Sequence, residues 1–169
     1  MTDDQNIPDD ISKRVIFSQA TDEQLDTVWR LNAQVWASPL SVEAHMERER
    51  LLSEQALTKS GAWRTWVLTL PDRGNEVVAS CETFEKTILI SNSDGVRKKL
   101  GYGIASVFTN QEYRRKGMAT LLLDRLKKWL DGEGEGVVSV LYSDIGRVCL
   151  WIEDLSDAYN PLTCWIELL

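Results

Sequence analysis

The chain has 169 residues, of which 43% are hydrophobic and seven are tryptophan, so it is long enough for one domain with a packed core. Its 19 basic against 26 acidic side chains give a formal net charge of −7. This balance repels nucleic acid and anionic lipid over most of the surface, so neither is expected as a partner. An anionic ligand must therefore be met by a local cluster of cations.

The cysteines and the N-terminus exclude several other classes of protein. Cys81, Cys149 and Cys164 are odd in number and contain no CxxC pair, which indicates neither a disulfide framework nor a metal site. The first residues, MTDDQNIPDD, are unlike a secretory signal, and no apolar run approaches the ~20 residues of a membrane-spanning helix. We therefore expect a cytoplasmic protein with no membrane partner and no metal.

The N-terminal part predicts a strand followed by a helix. Val15 to Ala20, VIFSQA, is typical of a short strand. Thr21 and Gln24 then stand at capping-box spacing before an apolar stripe with helical period. The first helix is therefore expected to begin at this box.

A second helix is predicted from the run SPLSVEAHMERERLLSEQALTKSG. Ser38 or Ser41 is the candidate N-cap, and Gly61 is the candidate C-terminal signal. Its charged face should meet water, and we expect His45, the only histidine, to be a solvated residue on it.

Two strands follow. The segments AWRTWVLTL and EVVASCETFEKTILI are rich in β-branched and aromatic residues, and the intervening PDRGN carries turn formers. A hairpin is therefore expected. The next segment, SNSDGVRKK, is interpreted as a polar connector.

The last predicted elements are a strand, a helix and a strand. Gly101 to Thr109 is typical of a strand, and the segment from about Lys116 to Asp131 has an apolar face at helical spacing. Val137 to Tyr142, VVSVLY, is continuously apolar and is expected to be a buried strand. This order predicts an α/β or α+β fold with a mixed sheet.

The turn before the last helix concentrates positive charge in an acidic chain. Arg114, Arg115 and Lys116 precede Gly117 and Ala119 in YRRKGMA. A helix N-terminus has unpaired amides and partial positive charge, and small residues allow a phosphate to approach them. The turn is therefore a candidate pyrophosphate site.

The spacing of this turn distinguishes it from two common nucleotide motifs. It contains neither GxxxxGK[ST] nor GxGxxG. Arg114, Gly117 and Ala119 instead match R/Q-x-x-G-x-G/A, and VFTNQEYRRKGMATLLL resembles the acetyl-CoA signature of the GNAT superfamily of N-acetyltransferases. ASCETF and YGIASVFTNQEYRRKGMA are also similar to fungal L-lysine N6-acetyltransferases.

This resemblance implies a GNAT-like mixed, mostly antiparallel sheet flanked by helices, with acetyl-CoA as co-substrate. The pantetheine arm would lie in a V-shaped opening after Thr109, and a backbone N–H near Phe108 or Thr109 would polarise the thioester carbonyl. The implied cofactor-binding residues are Val107, Phe108, Thr109, Arg114, Arg115, Lys116, Gly117, Met118, Ala119 and Thr120.

An acyl-CoA N-acyltransferase of this kind needs a base, because an ammonium has no lone pair with which to attack. Glu82 is the first candidate and Glu85 a weaker one, although either carboxylate could equally be an exposed strand residue. Tyr102 could supply a hydroxyl, although core or rim packing is an alternative for it. The acceptor implied is a small-molecule primary amine, with L-lysine as the first candidate.

The C-terminal sequence departs from the family. Residues 147–169 are too few for the usual helix and two strands, so the last strands are expected to be missing. We therefore divide the chain into a disordered leader at 1–12, an acetyl-CoA-binding domain at 13–146 and an atypical tail at 147–169. A catalytically impaired or truncated acetyl-CoA-binding module remains the alternative to an active enzyme.

Overall fold

The computed structural model describes residues 11–55, 58, 61–92 and 95–141. These residues form five strands and three α-helices, in the mixed α/β arrangement that the sequence predicts. In chain order they are β1 (Ile16–Gln19), α1 (Asp22–Trp36), α2 (Val42–Ser53), β2 (Trp63–Leu70), β3 (Glu76–Asn92), β4 (Gly95–Thr109), α3 (Met118–Asp131) and β5 (Ser139–Leu141). The tail at 147–169 and most of the leader lie outside the described residues.

The five strands form one sheet in the order β1-β2-β3-β4-β5. The first four are antiparallel neighbours, and β5 runs parallel to β4. β5 pairs with β4 only from Tyr102 to Ile104. Within the part of the chain that the structure describes, β4 therefore has no strand neighbour on this side after Ile104, and the sheet opens there.

The helix starts follow from their caps. Thr21 and Gln24 form the predicted capping box at the start of α1. Ser41 caps α2 by accepting a hydrogen bond from the Ala44 N–H, which decides between the two serines considered. α2 ends at Ser53, well before the Gly61 that the sequence favoured as its end.

The helices cover opposite faces of the sheet. α3 lies on one face, where Leu122 and Leu126 are completely buried among the side chains of β2, β3 and β4. α1 covers the other face, where Val28 packs against Val67 and Val77. The strands β2, β3 and β4 are therefore buried on both faces over part of their length. Ile11, which the sequence placed in the leader, also packs against the α3 core.

Two predictions about strands are wrong. The segment read as a connector, 91–99, is mostly strand, because β3 and β4 extend as one long hairpin through Asn92 and Gly95. β5 is not buried: Val137 and Val138, just before it, are 49% and 37% exposed. An apolar run alone does not bury a strand that is only three residues long.

Replacing a core leucine of α3 tests the packing against the sheet. Leu126→Ala should lower the free energy of unfolding by about 2–5 kcal/mol, because it removes packed methyl groups and leaves a cavity. Urea denaturation measures this change. Leu51→Ala is the control, since Leu51 is 53% exposed and should cost no more than about 0.5 kcal/mol. Equal losses in the two variants would contradict this assignment of the core.

Candidate functional site

A β-bulge in β4 shapes the centre of the candidate site. Ser80 pairs with Phe108 and Glu82 with Ala105, so Ser106 and Val107 both stand opposite Cys81. Ser106 has a positive φ of 52°. Bulges re-aim side chains, and here the Ser106 hydroxyl donates a hydrogen bond to Glu82 Oε2 over 2.9 Å.

Glu82 is the buried acidic group of this site, with only 8% of its surface exposed. Burial raises its pKa, and the nearby Glu49 carboxylate raises it further. Hydrogen bonds from Ser106 and Trp63 oppose this effect by favouring the charged form. A carboxylate whose pKa is raised in this way is a stronger base than an exposed glutamate, so it can accept a proton from a bound ligand.

Glu82 lines a cleft of about 120 Å³ between the sheet and helices α1 and α2. We call it the polar cleft. Its lining residues are Asn32, Trp36, His45, Arg48, Glu49, Glu82 and Ser106. Two of its buried atoms, Asn32 Oδ1 and His45 Nε2, have no hydrogen-bond partner among the described residues. Buried polar atoms normally find partners, so the cleft is suited to a polar ligand.

His45 is buried, which differs from the expectation based on the sequence. It was expected to be solvated, yet it is 2% exposed and faces the polar cleft. The charged residues around it on α2 hid this orientation, because they leave no clear apolar stripe. A single buried polar residue on a helix gives no periodic signal.

Tyr102 and Glu85 do not share this site with Glu82. They are cross-strand partners, and side chains alternate between the faces of a strand, so both lie on the α3 face. The Tyr102 hydroxyl donates to the Gly134 carbonyl over 2.8 Å, and its ring packs edge-on against Trp129. Tyr102 is therefore a core residue, the alternative considered for it, and this position does not favour a catalytic role.

Glu85 is likewise engaged on the α3 face. Its carboxylate accepts a hydrogen bond of 2.7 Å from Arg64. Glu82 is thus the one of the two predicted base candidates that faces the polar cleft. Cys81, next to it, is fully buried, and this burial raises the pKa of its thiol. It is a packing residue, because a protonated buried thiol is a poor nucleophile.

The backbone of β4 also points into the opening of the sheet. The Asn110 N–H donates to the Val78 carbonyl over 2.9 Å. Because hydrogen-bonded and non-bonded pairs alternate in an antiparallel ladder, the N–H of Phe108 faces β3 and that of Thr109 faces away. Of the two amides predicted to polarise a carbonyl, only that of Thr109 is therefore directed toward the opening.

The predicted anion-binding turn lies immediately beyond this strand. Arg115 and Gly117 both adopt positive φ, at 60° and 73°. Gly117 is the N-cap of α3 and provides no side-chain cap. The first bond of the helix runs from the Leu121 N–H to the Gly117 carbonyl over 3.0 Å. The amides of Met118 to Thr120 therefore have no acceptor within the helix, as an anion site requires.

Three cations directly precede these amides in the chain. Arg114 donates to the Thr109 carbonyl over 3.1 Å and lies over the Phe108 ring. Lys116 lies over the ring of Tyr113. Arg114, Arg115 and Lys116 are all exposed to solvent. The turn therefore combines available amides with accessible positive charge.

The other basic run, VRKK, is remote from this turn. It lies in the first part of β4, whereas Thr109 ends the strand. At a rise of about 3.4 Å per residue, Arg97 and Thr109 are roughly 40 Å apart. The two basic clusters therefore do not form one continuous surface.

A larger cleft of about 300 Å³ lies behind the turn, beside Tyr113 and Lys116. Its polar lining is already engaged: Arg14 pairs with Asp72, and the Tyr113 hydroxyl binds both Arg73 and Glu76. It therefore offers fewer available groups than the polar cleft.

Among the residues that the structure describes, no group of His, Cys, Asp and Glu side chains could hold a metal ion. The described helices include none with the length and apolar character needed to cross a membrane.

Known proteins resemble this chain in sequence. A lysine acetyltransferase from Yarrowia lipolytica is 28% identical over 92 residues, which cover 54% of this chain and 23% of that protein. The Saccharomyces cerevisiae protein YGR111W is 29% identical over 167 residues, which cover 79% of this chain and 42% of that protein. The chain thus spans less than half the length of each of these two relatives.

A solved structure and a family model extend the comparison. A predicted acetyltransferase from Clostridium acetobutylicum, solved with acetyl-CoA, has a TM-score of 0.58 at 13% identity, covering 91% of this chain and 95% of that one. At this identity the likeness shows the fold alone. Residues 29–146, well over half of the chain, match the model described as the acetyltransferase (GNAT) family, and the chain therefore belongs to that family.

Proposed function

We propose that the protein transfers the acetyl group of acetyl-CoA to a primary amine of a small molecule. The observation that carries this proposal is Glu82, a buried carboxylate with a raised pKa in a polar cleft beside the bulge of β4. β4 leads directly into the turn before α3, which has available amides and three cations. A base and an anion site thus flank one opening in the sheet.

The turn and the strand fit the two parts of the co-substrate. The amides from Arg115 to Thr120, with the neighbouring cations, suit the pyrophosphate. The outward backbone groups of Val107 and Thr109 suit the amide-containing pantetheine arm. In support, the Clostridium acetobutylicum protein of similar fold was solved with acetyl-CoA. The ring of Phe108 packs edge-on against that of Trp36, which lines the polar cleft.

Acetyl-CoA supplies the thioester carbonyl that a neutral amine can attack. In this proposal Glu82 accepts the proton of the acceptor ammonium, and the Ser106 hydroxyl holds the carboxylate in place. The Thr109 N–H donates to the carbonyl oxygen as negative charge develops on it. The neutral amine nitrogen bonds to the carbonyl carbon, the C–S bond breaks, and CoA leaves as a thiol with the proton that the attacking nitrogen loses, so no covalent bond to the protein is required.

L-Lysine, acetylated at N6, is the first candidate acceptor. The carboxylates of Glu49 and Glu82 in the polar cleft favour a cationic side chain. The similarity to the Yarrowia lipolytica lysine acetyltransferase supports the same choice. A panel of amines that includes lysine, assayed by release of free thiol, tests the proposal. Acetyl-CoA binding without turnover of any amine would instead indicate a cofactor-binding module.

Gly117→Ala tests the anion-binding turn. A side chain at φ 73° strains the N-cap, and this strain displaces the amides that would bind phosphate. Acetyl-CoA should therefore bind at least about tenfold more weakly. Isothermal titration calorimetry measures this affinity. Gly74→Ala is a matched control, because Gly74 has a similar φ of 66° and equally open surroundings but lies in another turn. Equal loss of affinity in both variants would show that backbone strain alone is responsible.

Glu82→Gln tests the proposed base. Without a proton acceptor, kcat should fall by about 10²–10⁴ while acetyl-CoA still binds. The wild-type kcat/KM should rise with pH through the raised pKa of Glu82. Steady-state kinetics across pH measures both effects, and a variant with unchanged kcat would assign the base elsewhere.

The same substitution should stabilise the fold at neutral pH. The pKa of Glu82 is higher in the folded state than in the unfolded state. The stability that Glu82 contributes is therefore fully present below the ordinary glutamate pKa and is lost as pH rises through the folded pKa. Glutamine carries no charge and avoids this loss. Thermal unfolding should therefore show a higher Tm for Glu82→Gln at pH 7 and a smaller difference near pH 3.5. A constant difference across pH would contradict the linkage.

Tyr102→Phe distinguishes the two faces of the sheet. The variant loses the hydrogen bond to Gly134, so the free energy of unfolding should fall by about 1 kcal/mol. Turnover should change by less than about threefold, because the hydroxyl lies on the α3 face. Urea denaturation and the thiol-release assay give the two values. A loss of turnover as large as that of Glu82→Gln would restore a catalytic role to Tyr102.

A further inference from the structure

His45 has a defined protonation state in the polar cleft. Arg48 Nη2 lies 2.9 Å from His45 Nδ1. A guanidinium has only donors, so Nδ1 must be the acceptor, and a neutral ring then carries its proton on Nε2. Burial lowers the pKa of His45 and the adjacent Arg48 lowers it further, although Glu49 opposes them. His45 is therefore a neutral donor through Nε2–H and cannot serve as the base.

This Nε2–H lacks an acceptor among the described residues, although it is buried. Glu49 Oε1 lies 3.8 Å away, which is beyond hydrogen-bond distance. That oxygen already accepts from Arg48 Nη2 over 2.5 Å. Leaving a buried donor unpaired is unfavourable, so a ligand oxygen that accepts from it would gain affinity.

The other groups of the cleft indicate what such a ligand carries. Asn32 Oδ1 is buried and without a partner among the described residues, so it can accept from an amine, as Glu82 can. Arg48 also lines the cleft, where its guanidinium is paired with the Glu49 carboxylate. The cleft therefore offers acceptors for an amine, and at His45 it offers a neutral N–H donor for a ligand oxygen.

We propose that His45 determines acceptor specificity: its Nε2–H, oriented by Arg48, donates a hydrogen bond to the carboxylate of an amino-acid acceptor, while Glu82 and Asn32 receive the amine. This inference rests on the proposed function and deepens it. It predicts that the cleft distinguishes an amino acid from a plain diamine. Lysine and cadaverine are the matched probes, because they differ only by the carboxylate.

The first experiment observes the donor directly. His45 is the only histidine, so the full-length chain labelled with ¹⁵N-histidine and freed of any tag gives a single set of imidazole signals. The free protein should show the Nε2–H tautomer. Lysine, added with acetyl-CoA or unreactive CoA present, should shift the Nε2 signal saturably, and cadaverine at equal occupancy should shift it much less. Equal shifts, or no shift with either amine, would overturn the proposal.

The second experiment compares kinetics. His45→Leu should lower the ratio of kcat/KM for lysine over cadaverine by about ten- to a hundredfold, mainly through KM for lysine. His45→Gln keeps an N–H donor at a similar reach and should restore part of the ratio. A purely structural role would lower both kcat/KM values and leave the ratio unchanged, which would overturn the proposal.

The two hypotheses fail in distinguishable ways. If the wild-type protein acetylates amines but the His45 variants keep the lysine-to-cadaverine ratio, only the specificity role is lost. If no amine is acetylated, the proposed function is lost, whereas a lysine-selective shift of the Nε2 signal still supports His45 as the carboxylate donor.

Discussion

The bulge in β4 is the constraint on which the site depends. By inserting Ser106 at a positive φ, it adds one residue to the strand opposite Cys81. Ser106 can then bond Glu82 on the α1 side while Val107 packs toward α3. The outward amide of Thr109 and the position of the following turn are set by the same irregularity. Without it, regular alternation would continue and Ser106 would face α3.

The two faces of the sheet differ in whether their buried polar atoms have hydrogen-bond partners. On the α3 face, Trp129 packs between Trp66 and Tyr102, and the Trp66 indole donates to Thr83 over 2.9 Å. The buried polar atoms on this face thus find hydrogen-bond partners within the protein. The α1–α2 face instead retains buried polar atoms without partners around Glu82. The larger buried cluster lies on the α3 side, and the unpartnered polar atoms of the polar cleft lie on the other.

The sequence predicted the parts of the molecule that carry local signals. The capping box at Thr21 and the strand-to-helix turn at Gly117 depend on residues close in the chain, and both were recognised. The position of His45 depends on which face of α2 meets the sheet, and a helix with weak apolar periodicity does not encode that choice locally. The face on which Tyr102 lies likewise follows only from the register of β3 with β4, in which it opposes Glu85 and not Glu82.

The bulge also bears on self-association. Ala105 to Thr109 present a stretch of β4 that, among the described residues, has no strand neighbour on the side away from β3, and exposed strand edges are templates for the pairing of other chains. A left-handed residue at Ser106 interrupts the even spacing of donors and acceptors that an incoming β-strand would need. The bulge that shapes the opening thus also makes this edge a poorer template for an added β-strand.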